Sequence, residues 1–508
     1  MSKRLYLLVT SILCVALSFP GSPFPWLAWM ILPLALMAVV NISPRLSALI
    51  LWIWAFVWWV GAVWWLAPAL HDFTQASWLV SLALLSGLCA YNALPYLLIG
   101  YFINRVDWSH GVVRCFLFAG CCAAIIVLFP TPLPASPINS QYLYPYVIQM
   151  VSLGGEFLLL WCFFLFAFGI CLATQQMENS QLRRGISYFA VAVSIPVSAL
   201  FLGMALIPDT EMKENGITVS YVQPNASRES TLNDVFVLMQ DILAVKQSQL
   251  VIWPEIPIDL SLKNRAYDLY RITQLVKEMG APLLVVSSYE YIDAEQKAYF
   301  STAHFMRSDA ESETYSKQVL VPFFEYLPLA DFLPAIRKLF PQALNYKSGA
   351  KFDPSKSDHK STESNSAFHL IDDVNLLPFI CYELIFADIV RGRMDLTGKR
   401  IIVNPSNDGW FGLSKGAQSH LALALFRAVE NRTPIVRVSN SGVSLMIDEY
   451  GRILPASVIR VGEPGYRTAK IFPASDMSIY QRGGYLLPYL LIALFILQHL
   501  LIRRRDKR

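Results

Sequence analysis

Apolar residues are concentrated in two parts of this chain, and the remainder mixes apolar with polar positions. Residues 5–207 and 485–502 contain long uncharged runs, whereas residues 208–482 read like a water-exposed domain. A helix that crosses the hydrocarbon core of a bilayer needs about 20 apolar residues. The pattern predicts a membrane domain with seven helices at 1–207, a polar domain at 208–482, and a last transmembrane helix with a basic tail at 483–508. The eight candidate transmembrane helices are 5–19, 26–41, 46–66, 78–100, 112–130, 148–173, 186–207 and 485–502.

The polar domain combines two periodicities. Short apolar or β-branched runs predict strands, and they alternate with stretches of helical periodicity at 231–247, 264–280 and 416–431, which favours a layered α/β fold. The stretch 352–366 is polar, contains Pro and Ser, and predicts a surface loop. The predicted strands are "GITVSYV", "QLVIWPE", "APLLVVSS", "AYFSTAHFM", "SAFHLI", "NLLPFIC", "RIIVNP", "PIVRVS" and "GVSLMIDEYG".

Basic residues follow the alternation of the predicted helices. If Met1 is cytoplasmic, the short loops on the opposite side, "FPGSPFP", "APALHDFTQAS" and "PTPLPASPINSQYLYP", carry no Lys or Arg. Cytoplasmic loops carry an excess of these residues, so both termini are predicted to be cytoplasmic and residues 208–482 to lie outside the cytoplasm. A signal peptide is the alternative for the first segment, although removing one helix would break the alternation. The basic residues on the predicted cytoplasmic side are Lys3, Arg4, Arg45, Arg105, Arg183, Arg184 and those of "RRRDKR" from Arg503.

The overall composition agrees with a membrane protein. The 508 residues are 55% hydrophobic and 15% charged, with a mean hydropathy of +0.43, which is too apolar for an ordinary soluble domain. The net charge of +4 comes mostly from the cytoplasmic loops and gives no reason to expect a nucleic-acid partner. The sequence has no GxxxxGK[ST], HExxH or CxxC motif, which excludes the commonest nucleotide, zinc and dithiol sites.

One cysteine stands apart from the others. Seven of the eight lie in or beside predicted transmembrane helices, where a thiol is a small apolar filler. Cys381 is the one cysteine of the polar domain. In an oxidising compartment such a thiol is either buried and inert or a reactive nucleophile, and its spacing leaves both readings open.

Polar residues follow two predicted strands, where α/β proteins carry their chemistry. Glu255 ends "LVIWPE" and Cys381 ends "LLPFIC", while Lys317 lies in "YSKQVLVPFFEY". A thiol nucleophile needs a proton acceptor and a donor for the oxyanion, roles that a carboxylate and an ammonium group can fill. His369 and His420 are further candidates for spatial neighbours.

The stretch 321–346, "VPFFEYLPLADFLPAIRKLFPQALNY", is rich in Phe and Leu but has too many prolines for one helix. It is either a long loop folded over the core or an apolar arm that rests on the membrane surface and admits lipid.

Taken in order, "LVIWPE", "YSKQVLVPFFEYLP", "FICYELIF" and "IIVNPSNDGWFG", followed by "HLALALFRAVENRTPIVRVSNSGVS", resemble the nitrilase superfamily. That resemblance implies an αββα sandwich with a Glu-Lys-Cys triad. The eight helices and the "VPFFEYLP" run narrow it to the apolipoprotein N-acyltransferase family of the bacterial inner membrane. Such enzymes move an acyl chain from a phospholipid, through a cysteine thioester, to the N-terminal amine of a diacylglyceryl-modified lipoprotein.

The resemblance implies roles for individual residues. Cys381 would be the nucleophile, Glu255 the general base and Lys317 the cation that holds the oxyanion, with the backbone N–H of Tyr382 as a second donor. No metal or other cofactor is implied, and we expect a monomer that meets a phospholipid donor and a diacylated lipoprotein acceptor in the membrane. The remaining matching positions are Glu325, which would orient Lys317, Tyr382 and Glu383 beside the nucleophile, and Trp410, which is either part of a mobile loop or a packed core aromatic.

Two regions depart from the pattern of that family. After Gln223 the chain reads "PNASRESTLNDVF" without the usual tryptophan, and the loop at 131–146 retains only Ser-Gln of the family's motif. Both regions are expected to touch substrate. Two alternatives to the N-acyltransferase therefore stand: a membrane-tethered nitrilase-type amidase or acyltransferase for another periplasmic substrate, and a non-catalytic scaffold.

Overall fold

The computed structural model divides into two compact units. It describes residues 3–106, 111–208, 215–227, 230–245, 248–256, 262, 266–279, 283–293, 298–307, 312–349, 368–369, 374–394, 398–412 and 414–505. The first unit comprises Met1–Trp64, Leu82–Asp209 and Ser478–Arg508, and the second comprises Trp65–Ser81 and Thr210–Met477. The segment Trp65–Ser81 thus groups with the polar part of the chain, although the sequence assigned it to the membrane domain.

Helices make up most of the first unit, and helices and strands alternate in the second. The helices are α1 Lys3–Ser18, α2 Ala28–Val39, α3 Pro44–Val63, α4 Leu66–Thr74, α5 Trp78–Asn92, α6 Leu94–Ile103, α7 Gly111–Val127, α8 Pro145–Ile148, α9 Val151–Glu178, α10 Leu182–Leu206, α11 Leu232–Val245, α12 Ala266–Glu278, α13 Ala387–Gly392, α14 Gly416–Asn431, α15 Ile479–Gly483 and α16 Leu486–Arg505. The strands are β1 Ile217–Gln223, β2 Leu250–Ile252, β3 Leu283–Asp293, β4 Ala298–Met306, β5 Glu313–Ser316, β6 Phe368–His369, β7 Val374–Pro378, β8 Lys399–Ser406, β9 Ile435–Ser439, β10 Leu445–Ile447 and β11 Gly465–Ile471.

The first unit contains helices of membrane-spanning length. Within the described residues, four helical segments are long and apolar enough to cross a bilayer: Pro44–Val63, Trp78–Ile103, Val151–Glu178 and Leu182–Leu206. Shorter apolar helices occupy Pro25–Val39, Val112–Val127 and Leu486–Ile502. On α10 large apolar side chains such as Phe189, Val191 and Phe201 are exposed, as lipid-facing residues would be.

Helix α9 is interrupted near its start. Gly154 and Gly155 have non-helical backbone angles, and the φ of Gly155 is 65°. A Cβ atom at Gly155 would lie 2.6 Å from the ring of Tyr480, so this close approach requires glycine. The break lets the Tyr480 ring of α15 pack directly on the backbone of α9.

Two sheets form the centre of the second unit. The first has the strand order β11-β1-β2-β3-β4-β5, and the second has the order β10-β9-β8-β7-β6. Each sheet contains three neighbouring parallel strands, β1-β2-β3 in the first and β9-β8-β7 in the second. Each remaining strand pairs antiparallel with its neighbour. Parallel strands buried on both faces are typically near-continuous apolar runs, which is how these strands read in the sequence.

The two sheets pack face to face between helices. One apolar core joins side chains of the first sheet, such as Val219 and Ile252, to side chains of the second, such as Leu376 and Val436. A second core joins α11 and α12 to the outer face of the first sheet, through residues such as Ile272. Helix α14, nearly all of it buried, covers the second sheet. The predicted α/β nitrilase-like fold is therefore confirmed.

Each predicted strand segment contains an observed strand, but two observed strands were not predicted. β5 is an edge strand, and β11 is a partly exposed edge strand with charged residues in its "GYRTAKI" sequence. Edge strands lack the long apolar run of a central strand, so neither stood out. The predicted surface loop at 352–366 lies outside the described residues.

Candidate active site

The predicted nucleophile sits on a strained turn. β7 ends at Pro378, and Cys381 begins a short 3₁₀ helix, Cys381–Ile385. The φ of Cys381 is 49°, a left-handed conformation that non-glycine residues rarely adopt and that costs about 1–3 kcal/mol. Its side chain is 7% exposed, at the end of the core between the two sheets. Such an outlier is typical of residues held in place for a function.

A lysine between two carboxylates lies close by. The Nζ atom of Lys317, directly after β5, is 2.9 Å from Oε1 of Glu255 and 2.6 Å from Oε1 of Glu325. The other oxygen of Glu325 accepts the backbone N–H of Val321 at 2.8 Å. All three charged side chains are buried. The structure therefore brings Glu255 together with Lys317 and Glu325, which the sequence selected from two separate segments.

Charges set the protonation of this group. Burial alone would lower the pKa of Lys317, but Glu255 and Glu325 raise it well above its usual value, so the side chain stays an ammonium. Burial raises the pKa of Glu325 to about 7, against the lowering effect of Lys317. A buried ammonium with two carboxylates leaves a local excess of negative charge when both are ionised, which disfavours a further anion nearby.

The thiol of Cys381 responds to both partners. Burial and the negative charge of Glu255 raise its pKa well above the usual value, while Lys317 and the backbone N–H of Asn407 act in the opposite direction. Cys381 is therefore a neutral thiol at rest. It needs an acceptor for its proton at the moment of attack, and a nearby carboxylate can fill that role.

Glu383 ties the lysine segment to the nucleophile turn. Its Oε1 accepts the hydroxyl of Tyr315 at 2.8 Å and the backbone N–H groups of Gln318 at 2.6 Å and Val319 at 3.2 Å. Its Oε2 accepts the N–H of Ile380 at 2.7 Å. One fully buried carboxylate thus fixes the residues after Lys317 against the residue before Cys381.

A second charged group lies beside the thiol. Asp408 accepts from the guanidinium of Arg437 at 2.7 Å, and its other oxygen is 3.0 Å from Nδ1 of His420. Sulfur, nitrogen and oxygen ligand atoms of Cys381, Asp408 and His420 lie within 4.8 Å of one another, a spacing that could hold a metal ion. Arg437 already supplies the positive charge next to Asp408, so we interpret the group as a hydrogen-bond network. Sequence reasoning flagged His420 as a neighbour but missed Asp408 and Arg437, although "SNDGWFG" contains Asp408.

Trp410 packs in an aromatic group at the rim of the site. Its ring lies 4.9 Å from that of Phe73 and 4.8 Å, edge to face, from that of Phe324. The next residue, Phe411, contacts Trp65 at 4.6 Å. The backbone N–H of Gln342 also donates to the carbonyl of Thr74 at 3.1 Å. Trp410 is thus partly exposed and covered by the segment Trp65–Ser81, whose contribution was not visible in the sequence.

The stretch 321–346 has a buried base and an exposed tip. Glu325 and Phe324 are buried, whereas Leu333 and Leu339 are exposed and Phe332 is 88% exposed. The structure contains only a short 3₁₀ helix here, Pro334–Lys338, within this described stretch. The remaining predicted neighbours sit as follows: Tyr382 packs edge to face on Phe386 at 4.9 Å, and His369 lies in the edge strand β6.

Comparison with known proteins identifies two regions of similarity. Residues 218–471 match the carbon-nitrogen hydrolase family, and residues 11–204 match the apolipoprotein N-acyltransferase N-terminal domain. The apolipoprotein N-acyltransferase of Geobacter metallireducens is 27% identical over 484 residues, which cover 89% of this chain and 86% of that protein. The protein of the same name from Brucella melitensis is 29% identical over 457 residues, covering 85% and 81%. Among solved structures, an amidase from Nesterenkonia sp. covers 52% of this chain and 93% of its own, with 17% identity and a TM-score of 0.36.

Proposed function

We propose, from the premise that this chain belongs to the carbon-nitrogen hydrolase family, that it is an apolipoprotein N-acyltransferase. It transfers an acyl chain from a phospholipid to the N-terminal amine of a diacylglyceryl-cysteine lipoprotein. The observation that carries the proposal is the combination, in one chain, of a buried cysteine beside a Glu-Lys-Glu group with helices of membrane-spanning length. Relatives that span most of the chain carry the name of this activity.

The first half-reaction makes a thioester. Glu255 takes the proton of the Cys381 thiol as Sγ attacks the ester carbonyl of the phospholipid, forming a C–S bond and an oxyanion. An ammonium group has three N–H donors, and within the described residues two of those of Lys317 point to Glu255 and Glu325. The third, with the N–H of Tyr382, holds the oxyanion. The C–O bond then breaks, and Glu255 returns the proton to the departing lysophospholipid alcohol.

The second half-reaction makes the amide. The neutral α-amine of the lipoprotein attacks the thioester carbonyl, and Glu255 accepts a proton from the nitrogen as the C–N bond forms. The tetrahedral intermediate collapses with loss of the Cys381 sulfur, which recovers that proton. Because the pKa of the Cys381 thiol is raised, its thiolate leaves poorly, and protonation by Glu255 is needed in this step as in the first.

Transfer rather than hydrolysis requires a dry site. The aromatic group of Phe73, Phe324 and Trp410 covers the rim of the second unit and supports exclusion of water from the thioester. The exposed apolar tip of 321–346 provides a surface that a lipid chain can contact. No metal or nucleotide is needed, since the acyl group is already activated as an ester.

The proposed topology has eight transmembrane helices, with both termini cytoplasmic and the domain at 208–482 in the periplasm. The alternation of basic loops and the apolar helices of the first unit support it. We propose the same domain boundaries, 1–207, 208–482 and 483–508, and action as a monomer in the bacterial inner membrane. Phospholipid and lipoprotein would then both reach the site by diffusion in the plane of the bilayer.

The two regions that depart from the family pattern bear on the acceptor. Gln223 is fully buried, and its side-chain amide donates to the carbonyls of Arg460 at 2.7 Å and Glu463 at 3.0 Å. The retained Gln141 donates to the carbonyl of Pro25 at 2.7 Å. Both glutamines therefore hold loops together, and the residues that differ around them are where a change of acceptor would arise.

Complementation tests the proposal. A bacterial host depleted of its own enzyme is given this chain, and the mass of a lipoprotein N-terminal peptide is followed. The expected result is gain of a third acyl chain, and none with Cys381→Ala. If lipoproteins stay diacylated while Cys381 still reacts with a thiol probe, the chain acts on another substrate as a membrane-tethered amidase or acyltransferase. If Cys381 does not react, the scaffold reading applies.

A further inference from the structure

The left-handed backbone of Cys381 is contacted by two side chains that do not belong to the Glu-Lys-Glu group. Its carbonyl oxygen lies 3.3 Å from Nε2 of His420 and 3.5 Å from Nδ2 of Asn404. Asn404 donates more closely, at 2.6 Å, to the carbonyl of Phe379. Asn404 of β8 and His420 of α14 thus hold the backbone of the predicted nucleophile in place.

His420 is itself fixed by buried charges. Its Nδ1 is 3.0 Å from Asp408 and 3.0 Å from the guanidinium of Arg437. Arg437 also donates to Asp408 at 2.7 Å and to Oδ1 of Asn404 at 2.6 Å. Arg437 is fully buried, and His420 is 7% exposed. One guanidinium therefore orients both side chains that reach the Cys381 carbonyl.

The donors and acceptors around the ring determine which nitrogen carries hydrogen. The carbonyl of Cys381 can only accept, so Nε2 carries a hydrogen. In the neutral ring Nδ1 then accepts from Arg437, and its lone pair also faces Oδ1 of Asp408. In the doubly protonated ring, Nδ1 donates to Asp408 and Nε2 again carries hydrogen. The remaining tautomer would set the bare Nε2 against the carbonyl of Cys381, two acceptors facing each other. Burial and Arg437 lower the pKa of His420, which favours the neutral ring.

This arrangement excludes His420 as the proton acceptor for the thiol. The hydrogen on Nε2 is directed at the Cys381 carbonyl, and Nδ1 is enclosed by Asp408 and Arg437. Neither nitrogen then has a lone pair for the sulfur. A histidine near a nucleophilic cysteine usually acts as a base, so the role assigned to His420 here differs from the usual one.

We propose that His420 is a positioning residue: its Nε2–H fixes the carbonyl of Cys381 in the left-handed conformation that aims Sγ at the acyl carbonyl, and Asp408 and Arg437 orient the ring. The inference rests on the proposed function for its acyl-transfer readout, but the geometry of the thiol can be measured without that function.

Matched amide substitutions separate positioning from proton transfer. His420→Gln can place an amide N–H near the position of Nε2, whereas the shorter side chain of His420→Asn cannot reach the carbonyl. His420→Leu removes the donor, and Ser419→Ala controls for changes in α14, since the hydroxyl of Ser419 bonds to Lys415 within the helix. All are made in the full chain, purified in detergent, with thermal unfolding followed in parallel.

Two readouts are compared. The first is the rate of iodoacetamide alkylation at Cys381, from the mass of the peptide that contains it. The second is acyl transfer from phospholipid to a synthetic diacylglyceryl-cysteine peptide in mixed micelles. We expect His420→Asn and His420→Leu to lose about 10- to 100-fold in kcat with KM unchanged, because misplacement of about 1 Å has that effect. His420→Gln recovers most of the loss, and alkylation follows the same order.

Each outcome either supports or overturns the positioning role of His420. If Gln, Asn and Leu variants are equally slow, His420 is a base and the positioning role is overturned. If Asn and Leu variants match the unaltered chain, the contact has no role. If the Leu variant fails to fold, the Gln and Asn pair still decides the question. Failure of the proposed function looks different: the unaltered chain transfers no acyl group, while the alkylation rates still rank the variants.

Discussion

Replacing Glu383 by glutamine tests whether one buried carboxylate aligns the lysine segment with the nucleophile. Oε1 accepts from Tyr315, Gln318 and Val319, and Oε2 accepts from Ile380. In Glu383→Gln the amide oxygen can take the place of Oε1, but the NH₂ group then faces the N–H of Ile380. That donor is left unsatisfied, and the other bonds lose their charge assistance.

The expected losses of stability and rate follow from the one N–H group, that of Ile380, which loses its acceptor. One buried donor without a partner costs about 1–3 kcal/mol, so the unfolding temperature in detergent falls by several degrees. Ile380 precedes Cys381, so its displacement also moves the sulfur, and thioester formation slows by about 100-fold. The assay is single-turnover acylation of Cys381 by phospholipid, quantified as the mass shift of the intact chain.

Tyr315→Phe is the matched control. It removes one of the donors to Oε1 but leaves the backbone contacts of Gln318, Val319 and Ile380 in place. Acylation should then slow by about 10-fold at most, far less than in Glu383→Gln, because the contact that places Ile380 beside Cys381 remains. The reasoning is refuted if Glu383→Gln acylates at the rate of the unaltered chain, or if Tyr315→Phe is the slower of the two.

Three further predictions concern the neighbours of the thiol. Glu325 is protonated below its pKa of about 7, which weakens the charge-assisted hydrogen bond that orients Lys317, so acylation should fall as the pH drops through 7. Glu325→Gln should abolish that limb of the pH–rate profile. Since burial raises the pKa of Cys381, its alkylation should still be accelerating above pH 9, and Lys317→Met should slow it further at any fixed pH; saturation near pH 8 would contradict this. Phe73→Ala removes an aromatic contact to Trp410 worth about 0.5–1.5 kcal/mol. Hydrolysis of the thioester, measured as fatty acid released per amide formed, should then rise several-fold. An unchanged ratio would show that the contact does not exclude water.

Central strands were predictable because they are buried on both faces. β1, β2 and β8 read as near-continuous apolar runs, and α14 was predicted with the observed ends. β5 and β11 were missed because most of their residues are partly or fully exposed, and their sequences alternate only weakly. Periodicity reports burial, so it detects an element only as far as that element is buried.

The site was predictable in part, for a different reason. Glu255 and Cys381 were selected by their positions after predicted strands, and Lys317 by its sequence context; resemblance to a family supported all three and supplied Glu325, Glu383 and Trp410 as well. The sequence did not indicate which contacts those side chains make. Asp408, His420 and Arg437 meet only because β8, α14 and β9 are adjacent in the fold, and no local pattern marks three residues brought together in that way. Likewise, the sequence placed Phe73 in a short loop between apolar helices, whereas the structure places it in helix α4.

The two charged groups near Cys381 explain why a thiol rather than a thiolate is suited to this site. Lys317 is matched by Glu255 and Glu325, and Arg437 by Asp408, so the described ionised groups around the sulfur are already paired without a sulfur anion. A resting thiolate would add an unpaired buried charge, which is why the pKa of the thiol is raised rather than lowered. In the proposed mechanism the negative charge therefore develops only during attack and passes to the acyl oxygen, near the Lys317 ammonium. The rate at such a site depends more on the orientation of Sγ toward the acyl carbonyl than on ionisation of the thiol. For that reason the contact of His420 with the backbone of Cys381 should affect kcat.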